Sequence, residues 1–529
     1  MPNSRTTHVN RSRESGDAAL VRALASPATY PGHPRVDVHE THASWVFVAG
    51  DRAYKVKKPL ALGFLDYSTL ELRHNACSEE VRINQELAPG LYLGVRAIVR
   101  GIGWFRLVPD CAPDAVEYAV EMRRFSEEDT FEGLIAAGAL TRAHVAAVGR
   151  LLAAFHRSAA VAVDWGPDPT LASWLRNVEE LHDAGPPATW HLDVAAGFGK
   201  AFVAAHAAEL RRRAQRGLAR DGHGDLRCEH VLARPSVRIV DRIEFDPALR
   251  RTDVACDLAF LAMDLEASGQ RWAVVELVSA YREAGMDPGG RTLRSFYSAY
   301  WALVRAKVAL IAAAERDGPA REGQIRRAQR LWWLSEKLTW RARAPVAVVI
   351  CGPAASGKST LAAELSRRSE MPVVSSDAVR KRLAHLTPAE RARQEHYSPA
   401  FTDATYKQLT HDALVHSRRG ESVIIDASCR SHRVRKPLLD ALRSTGARVL
   451  IVRCESPLEL TLGRAAERMQ DPRRVSDATP AIAEEQARSF EEFDEHAEGR
   501  VLTLDTARAL DTQIDELAGA VDGAMTACP

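Results

Sequence analysis

Residues 352–360 read Gly-Pro-Ala-Ala-Ser-Gly-Lys-Ser-Thr, directly after the apolar run Val346–Ile350. This G-x-x-x-x-G-K-S spacing suits phosphate chemistry. Gly352 and Gly357 let the backbone curl so that the N–H groups of Pro353-flanked Ala354, Ala355, Ser356 and their neighbours can point at one anion. Lys358 reaches the β- and γ-phosphates, Ser359 offers its hydroxyl to Mg²⁺, and Thr360 continues into a helix whose positive end faces the same charge. The segment therefore implies a bound nucleoside triphosphate.

Further candidates follow at the ends of later apolar runs. Val373-Val374-Ser375-Ser376-Asp377 places a carboxylate where it can take the proton of an attacking hydroxyl, and Arg380, one helical turn on, can hold an anionic substrate group. Val423-Ile424-Ile425-Asp426 ends in the acid expected to support Mg²⁺. Arg464 and Arg468 lie four apart on a helical stretch and could close over the transferring phosphate; a solvated helix face is the competing reading. Capping of the next helix is compatible with the catalytic role of Asp377.

The chain's first half holds a second set. His223-Gly224-Asp225-Leu226 is followed by His230, then by Ile243-Glu244-Phe245. An Asp that orients an acceptor with a metal-binding group downstream is the logic of a kinase catalytic loop. Upstream, Ala53-Tyr54-Lys55-Val56-Lys57-Lys58 can supply a strand lysine for the α/β-phosphates, and Glu80 can pair with it. His223 is expected to support the loop through hydrogen bonds. Cys228 and His230 have no paired ligands nearby in sequence, which argues against zinc.

The C-terminal series, with Tyr397-Ser398-Pro399 and the arginines of 464–478, resembles AAA-type P-loop kinases similar to the kinase domain of polynucleotide kinase and, more distantly, to zeta toxins and gluconate kinases. That resemblance implies ATP and Mg²⁺ at Lys358 and Ser359, Asp377 as base, Arg380 as substrate anchor and Arg468 as a lid arginine. Residues 30–330 resemble aminoglycoside phosphotransferase-like kinases, in the subgroup fused to a P-loop kinase domain. This second resemblance implies Asp225 as catalytic Asp, Glu244 and His230 at the metal, Lys55 as ATP lysine and Met122–Phe125 near the adenine. The sequence departs from that family in having His230 for Asn, Glu244 for Asp, and no glycine-rich turn at Thr41–Ser44.

These motifs need elements to position them. Strand-like runs at 346–350, 373–374, 423–425, 449–452 and 501–504 alternate with helical stretches, which predicts a parallel sheet covered on both faces. Runs at 44–48, 52–57 and 116–121 precede a mostly helical region from about 140, predicting a small sheet lobe and a helical lobe. The fold class is therefore α/β, a protein-kinase-like α+β domain at 19–342 followed by a P-loop domain at 343–529, with a disordered tail at 1–18. Pro345 ends the preceding helical region.

At 529 residues the chain exceeds one core. A net charge of +2 gives no polyanion signal. Eight cysteines without a CxxC pair point to reduced thiols and a cytoplasmic setting. No apolar run approaches the ~20 residues of a membrane span. The function expected is transfer of the γ-phosphate of ATP to a hydroxyl, of a small molecule by preference. A nucleic-acid 5′-hydroxyl is the first alternative. An ATP-hydrolysing switch with a non-catalytic kinase-like sensor is the second.

Overall fold

The computed structural model describes residues 18–62, 65–387, 390–469 and 479–526. All but residue 18 of the expected N-terminal tail lies outside them. The chain divides into two compact units that are discontinuous in sequence. The first comprises residues up to Trp165 with Arg213–Pro288, and the second Gly166–Arg212 with Gly289 onward. The junction expected at 342/343 falls inside the second unit.

In the first unit β1 (Val36–Glu40), β2 (Ser44–Ala49) and β3 (Arg52–Lys57) form an antiparallel meander. After the small β4 (Ala61–Leu62)/β5 (Leu65–Asp66) ribbon come β6 (Tyr92–Gly101), β7 (Trp104–Pro109) and β8 (Ala115–Arg123), completing a six-stranded sheet of order β1-β2-β3-β8-β6-β7. One face buries Phe47, Val56, Ile98 and Ala119. The other buries Val120 and Met122 against Cys77 of helix Leu70–Asn84, which Thr69 caps by accepting from the Leu72 N–H.

Period-2 alternation puts Lys55 and Lys57 on the same side of β3 as each other, so both can meet that helix. The rest of the unit is helical, apart from two short ribbons, β9 (Ala219–Asp221) with β12 (Arg251–Asp253) and β10 (Val231–Leu232) with β11 (Arg238–Ile239). Helix Val254–Ala267 is almost wholly buried.

The second unit is built on β13 (Val346–Cys351), β14 (Val373–Ser375), β15 (Val423–Asp426), β16 (Arg448–Glu455) and β17 (Val501–Asp505). All pairings are parallel and the order is β14-β15-β13-β16-β17. Every strand expected from the sequence in this region is present. Because both faces are covered, alternate residues of one strand enter different cores. Ala347, Val349 and Cys351 face helices Pro399–Ser417 and His432–Arg443, through Leu409, Leu438 and Leu442. Val346, Val348 and Ile350 face helices Lys358–Ser369 and Leu510–Thr526, through Leu361, Leu365, Ile514 and Leu517.

The same unit contains helices Pro167–Asp183, Arg291–Ala314 and Gly318–Ala342. Trp174 stacks on Phe296 with ring centroids 4.8 Å apart. Buried Arg343 forms a two-pronged ion pair with Asp522 at 2.7 Å and lies over the Phe198 and Trp340 rings. That pair fastens the end of helix Gly318–Ala342 to helix Leu510–Thr526. Among the described residues no helix is long and apolar enough to cross a membrane.

Candidate active sites

The chain order reverses direction across the second sheet at β13, whose neighbours are β15 and β16. In open parallel sheets ligands bind outside the carboxyl ends of the strands at such a switch point. The phosphate-type loop sits there. Gly352 has φ 141°, and a Cβ on it would lie 2.7 Å from the Cys454 carbonyl oxygen and 2.8 Å from Ser356 Oγ. Gly357 has φ 95°, with Thr506 2.9 Å from where its Cβ would stand. Both positions require glycine. Ala355 adopts φ 62°, a conformation a non-glycine residue holds only under tertiary constraint.

Lys358 Nζ donates to the Pro353 carbonyl at 2.6 Å, and among the described residues it has no carboxylate partner. Ser359 Oγ donates to Asp426 Oδ2 at 2.7 Å. Ser356 Oγ is buried with no hydrogen-bond partner. Together these are a loop of N–H groups, an ammonium without a counter-anion, and a hydroxyl–carboxylate pair. That donor set fits a nucleotide phosphate with a divalent ion, the ion at Ser359 and Asp426. Among the described residues no three His, Cys, Asp or Glu side chains form a metal cage.

Asp377 lies at the second position of helix Ser376–Leu383, with Ser375 rather than Asp377 as the N-cap residue. The register pairs Ser375 with Asp426 and Asp426 with Ile350. Asp377 therefore leaves the same sheet edge as the phosphate loop, two strands away.

Two of the expected substrate-binding arginines make contacts within the second unit. Arg380 is buried, donates to the His396 carbonyl at 2.5 Å and lies over the Tyr397 ring at 4.7 Å. Its partners there are neutral, the His396 carbonyl and the Thr402 hydroxyl, so they tie residues 396–402 to helix Ser376–Leu383 without neutralising its charge. Arg464 donates to Thr506 Oγ1 and to the Thr506 carbonyl at 3.1 and 2.8 Å. Thr506 Oγ1 in turn donates to the Ser356 carbonyl at 2.8 Å. Arg464 thus braces the phosphate loop through Thr506. The side chain of Arg468, and residues 470–478, lie outside the described residues.

Sequence reasoning missed Gln486. From helix Pro480–Arg488 its Oε1 accepts the Ala354 N–H at 2.9 Å. No motif marks it; only tertiary placement does.

The first unit gathers a different constellation. Lys55 Nζ donates to Glu80 at 3.0 Å and to Asp241 at 2.6 Å. Lys57 Nζ pairs with Glu80 and with Glu244, whose other partner is the Tyr67 hydroxyl at 2.5 Å. Burial opposes the charge on both lysines, yet the facing carboxylates outweigh it and hold their pKa values well above the ordinary range. Burial likewise opposes the charge on Asp241, and Lys55 overcomes it, keeping this carboxyl well below its usual range.

Glu244, expected at the metal, stands in this cluster rather than beside His230. It is locked between Lys57 and Tyr67, and the carboxylate brought to Lys55 and to His230 is Asp241. His230 Nε2 stands 3.6 Å from Asp241. A signal for Asp241 was present, since Val240-Asp241 is an apolar step ending in Asp like Ile425-Asp426; the two-residue β11 before it is too short to read as a strand.

Asp225 receives two hydrogen bonds from Arg227, both at 2.8 Å. His230 Nδ1 contacts the Asp225 carbonyl at 2.8 Å, so Nδ1 carries the proton and Nε2 accepts from Arg227 at 3.1 Å. Burial lowers the His230 pKa, which keeps the ring neutral at pH 7. His223 supports the loop as expected. Its Nε2 contacts the Val240 carbonyl at 2.9 Å, and its backbone N–H and that of Gly224 donate to Asp257 at 2.8 and 3.0 Å. Burial takes the His223 pKa down to about 4.

A lysine on the third strand paired to a glutamate of the following helix, beside an Asp-bearing loop, is the protein-kinase-like arrangement. The chain joins such a domain to a P-loop domain. Residues 348–493 match the family model described as AAA domain. Rv2004c of Mycobacterium tuberculosis, described only as an uncharacterized protein, is 29% identical over 481 residues, covering 87% of this chain and 90% of its own.

Among solved structures, a choline/ethanolamine kinase family protein from Mesorhizobium loti is 19% identical, covering 59% of this chain and 94% of its own at a TM-score of 0.36. A gluconokinase from Sinorhizobium meliloti is 18% identical, covering 35% and 94% at 0.25. Similarity at this level does not bear on activity.

Proposed function

We propose that the protein is an ATP-dependent kinase whose P-loop unit transfers the γ-phosphate of ATP to a hydroxyl group of a small molecule. The observation that carries this reading is the Ser359–Asp426 hydrogen bond at 2.7 Å beside a lysine with no carboxylate partner among the described residues. An ammonium whose only hydrogen bond goes to a neutral carbonyl gains more from an incoming phosphate than one already ion-paired.

The loop N–H groups and Lys358 bind and orient the terminal phosphates. A Mg²⁺ ion held by Ser359 and Asp426 would neutralise charge between them. Asp377 takes the proton of the acceptor hydroxyl as its oxygen attacks. Arg464, through Thr506, keeps the loop in shape. ATP and Mg²⁺ are thus the expected co-substrate and ion, and eight scattered cysteines without a CxxC pair support a cytoplasmic location.

A second reading has one observation in its favour: Asp225 is clamped by Arg227 and Lys55 is paired on two sides. The first unit would then be a sensor and ATP turnover in the second a switch. A nucleic-acid acceptor has no comparable support, and the near-zero net charge weighs against it.

The experiment is transfer of labelled γ-phosphate from ATP into a fractionated cell extract, with wild type, Lys358→Ala and Asp225→Asn in parallel. Labelled small molecules lost only in Lys358→Ala support the proposal. Loss only in Asp225→Asn moves the chemistry to the first unit. Labelled oligonucleotide would replace the acceptor class, and phosphate release without labelled product would favour the switch.

A further inference from the structure

The phosphate loop carries a contact that its own chemistry does not require. Ala354 is the third residue of the loop, and its N–H belongs to the set that an occupied loop directs at phosphate oxygens. Here that N–H is taken by Gln486 Oε1 at 2.9 Å. A backbone N–H can only donate, so the carboxamide oxygen must face it and the NH₂ group must face away.

The helix bearing Gln486 is seated on the loop independently of that bond. Ala355 packs with Ala465 and Ala483, joined by Ala354 and Leu462. Side chains this small bring helices Leu458–Met469 and Pro480–Arg488 close to the loop backbone, which leaves Gln486 little freedom to lie elsewhere.

We propose that Gln486 is a positioning residue that distinguishes ATP from ADP at the P-loop, an inference that rests on the nucleotide-binding reading above. In this structure its oxygen holds the Ala354 N–H. When the terminal phosphate claims that N–H, the carboxamide turns over and its NH₂ donates to a phosphate oxygen. The side chain can play both parts because a carboxamide combines a neutral acceptor with two donors. It follows that Gln486 contributes to binding only when a phosphate reaches Ala354. Helix Pro480–Arg488 is thereby coupled to whether the terminal phosphate is present.

The test measures ATP-analogue (non-hydrolysable) and ADP affinities with Mg²⁺ for full-length wild type, Gln486→Ala and Gln486→Glu, with circular dichroism confirming the fold of each. The glutamate is nearly isosteric and still accepts from Ala354, but it has no donor and repels phosphate. Gln486→Glu should weaken the ATP analogue about tenfold or more relative to ADP, the value of a hydrogen bond to a charged group together with added repulsion. Gln486→Ala should lower the ATP:ADP preference by a smaller factor in the same direction. An unchanged ATP:ADP ratio in both variants overturns the proposal, even if both nucleotides bind somewhat more weakly, because a merely structural tie would affect them equally. Wild type that binds neither nucleotide overturns the nucleotide-binding reading itself, and this inference with it.

Discussion

The two candidate sites handle charge in opposite ways. In the first, two lysines meet three carboxylates, Glu80, Asp241 and Glu244, and every ammonium is ion-paired. In the second, the ammonium of Lys358 rests on a carbonyl and the loop offers backbone N–H groups. The first cluster is net negative by one charge and already complete, so an incoming phosphate must displace a carboxylate from Lys55 or arrive with a cation. The second is electropositive and incomplete. Residue types alone would rank these sites as equals; partner identity separates them.

The largest effect that sharpens the contrast is on phosphate transfer. Lys358→Ala should reduce it about a thousandfold, the scale of losing a charged group that stabilises a developing anion, while Asp225→Asn leaves it within a few-fold. Labelled-phosphate kinetics on both variants check this, and a reversed order would break the comparison.

Next in size is the stability of the first cluster. Glu80 is fully buried and serves both lysines. Removing its charge with Glu80→Gln should cost about 3 kcal/mol, the cost of leaving buried cations short of a partner. Denaturant unfolding would show it, and an unaltered midpoint would mean that Asp241 and Glu244 suffice.

The second unit tolerates one more incomplete ion, Glu336. One of its oxygens is buried without a partner and Arg368 lies 3.7 Å from the other. Burial pushes its pKa up to about 7 from 4.5. The native state then holds a proton that the unfolded state gives up, so stability falls as pH rises from about 4.5 to 7 and stays lower above that. Glu336→Gln should abolish this fall and gain about 2 kcal/mol at pH 8. Thermal unfolding at pH 5 and 8 measures it; equal pH slopes in variant and wild type would refute it.

The smallest effect concerns the ion. Chelation should weaken nucleotide binding at the P-loop by about tenfold, since the loop N–H groups and Lys358 remain. At the first unit, where the cluster is net negative, nucleotide binding should depend more strongly on the ion. Titration calorimetry with and without chelator separates the two.

Much of this was legible in the sequence where one segment carries the whole signal. The phosphate loop is nine consecutive residues, and the five strands of the second unit are short apolar runs bounded by turns. In the first unit β3 was read to the residue, because Lys55 and Lys57 flank Val56 in strict alternation. β1, β6 and β7 were not read, since their exposed faces and the turn at Ile102–Gly103 blur the period.

What failed depended on partners far apart in the chain. Glu244 was preferred to Asp241 because nothing local shows that Lys57 and Tyr67 would claim it. The bonds of Arg380 to the His396 carbonyl and of Arg464 to Thr506 were equally hidden, since each joins segments separated in the chain. Gln486 has no motif at all.

The parallel sheet has one further consequence, for the order in which the chain is made. β13 and the phosphate loop leave the ribosome well before β16 pairs beside them, and before Ile514, Leu517 and Val521 arrive to cover Val346, Val348 and Ile350. A nascent chain that stops short of residue 506 therefore lacks helix Leu510–Thr526 over one face of that strand and the Thr506 brace on the loop.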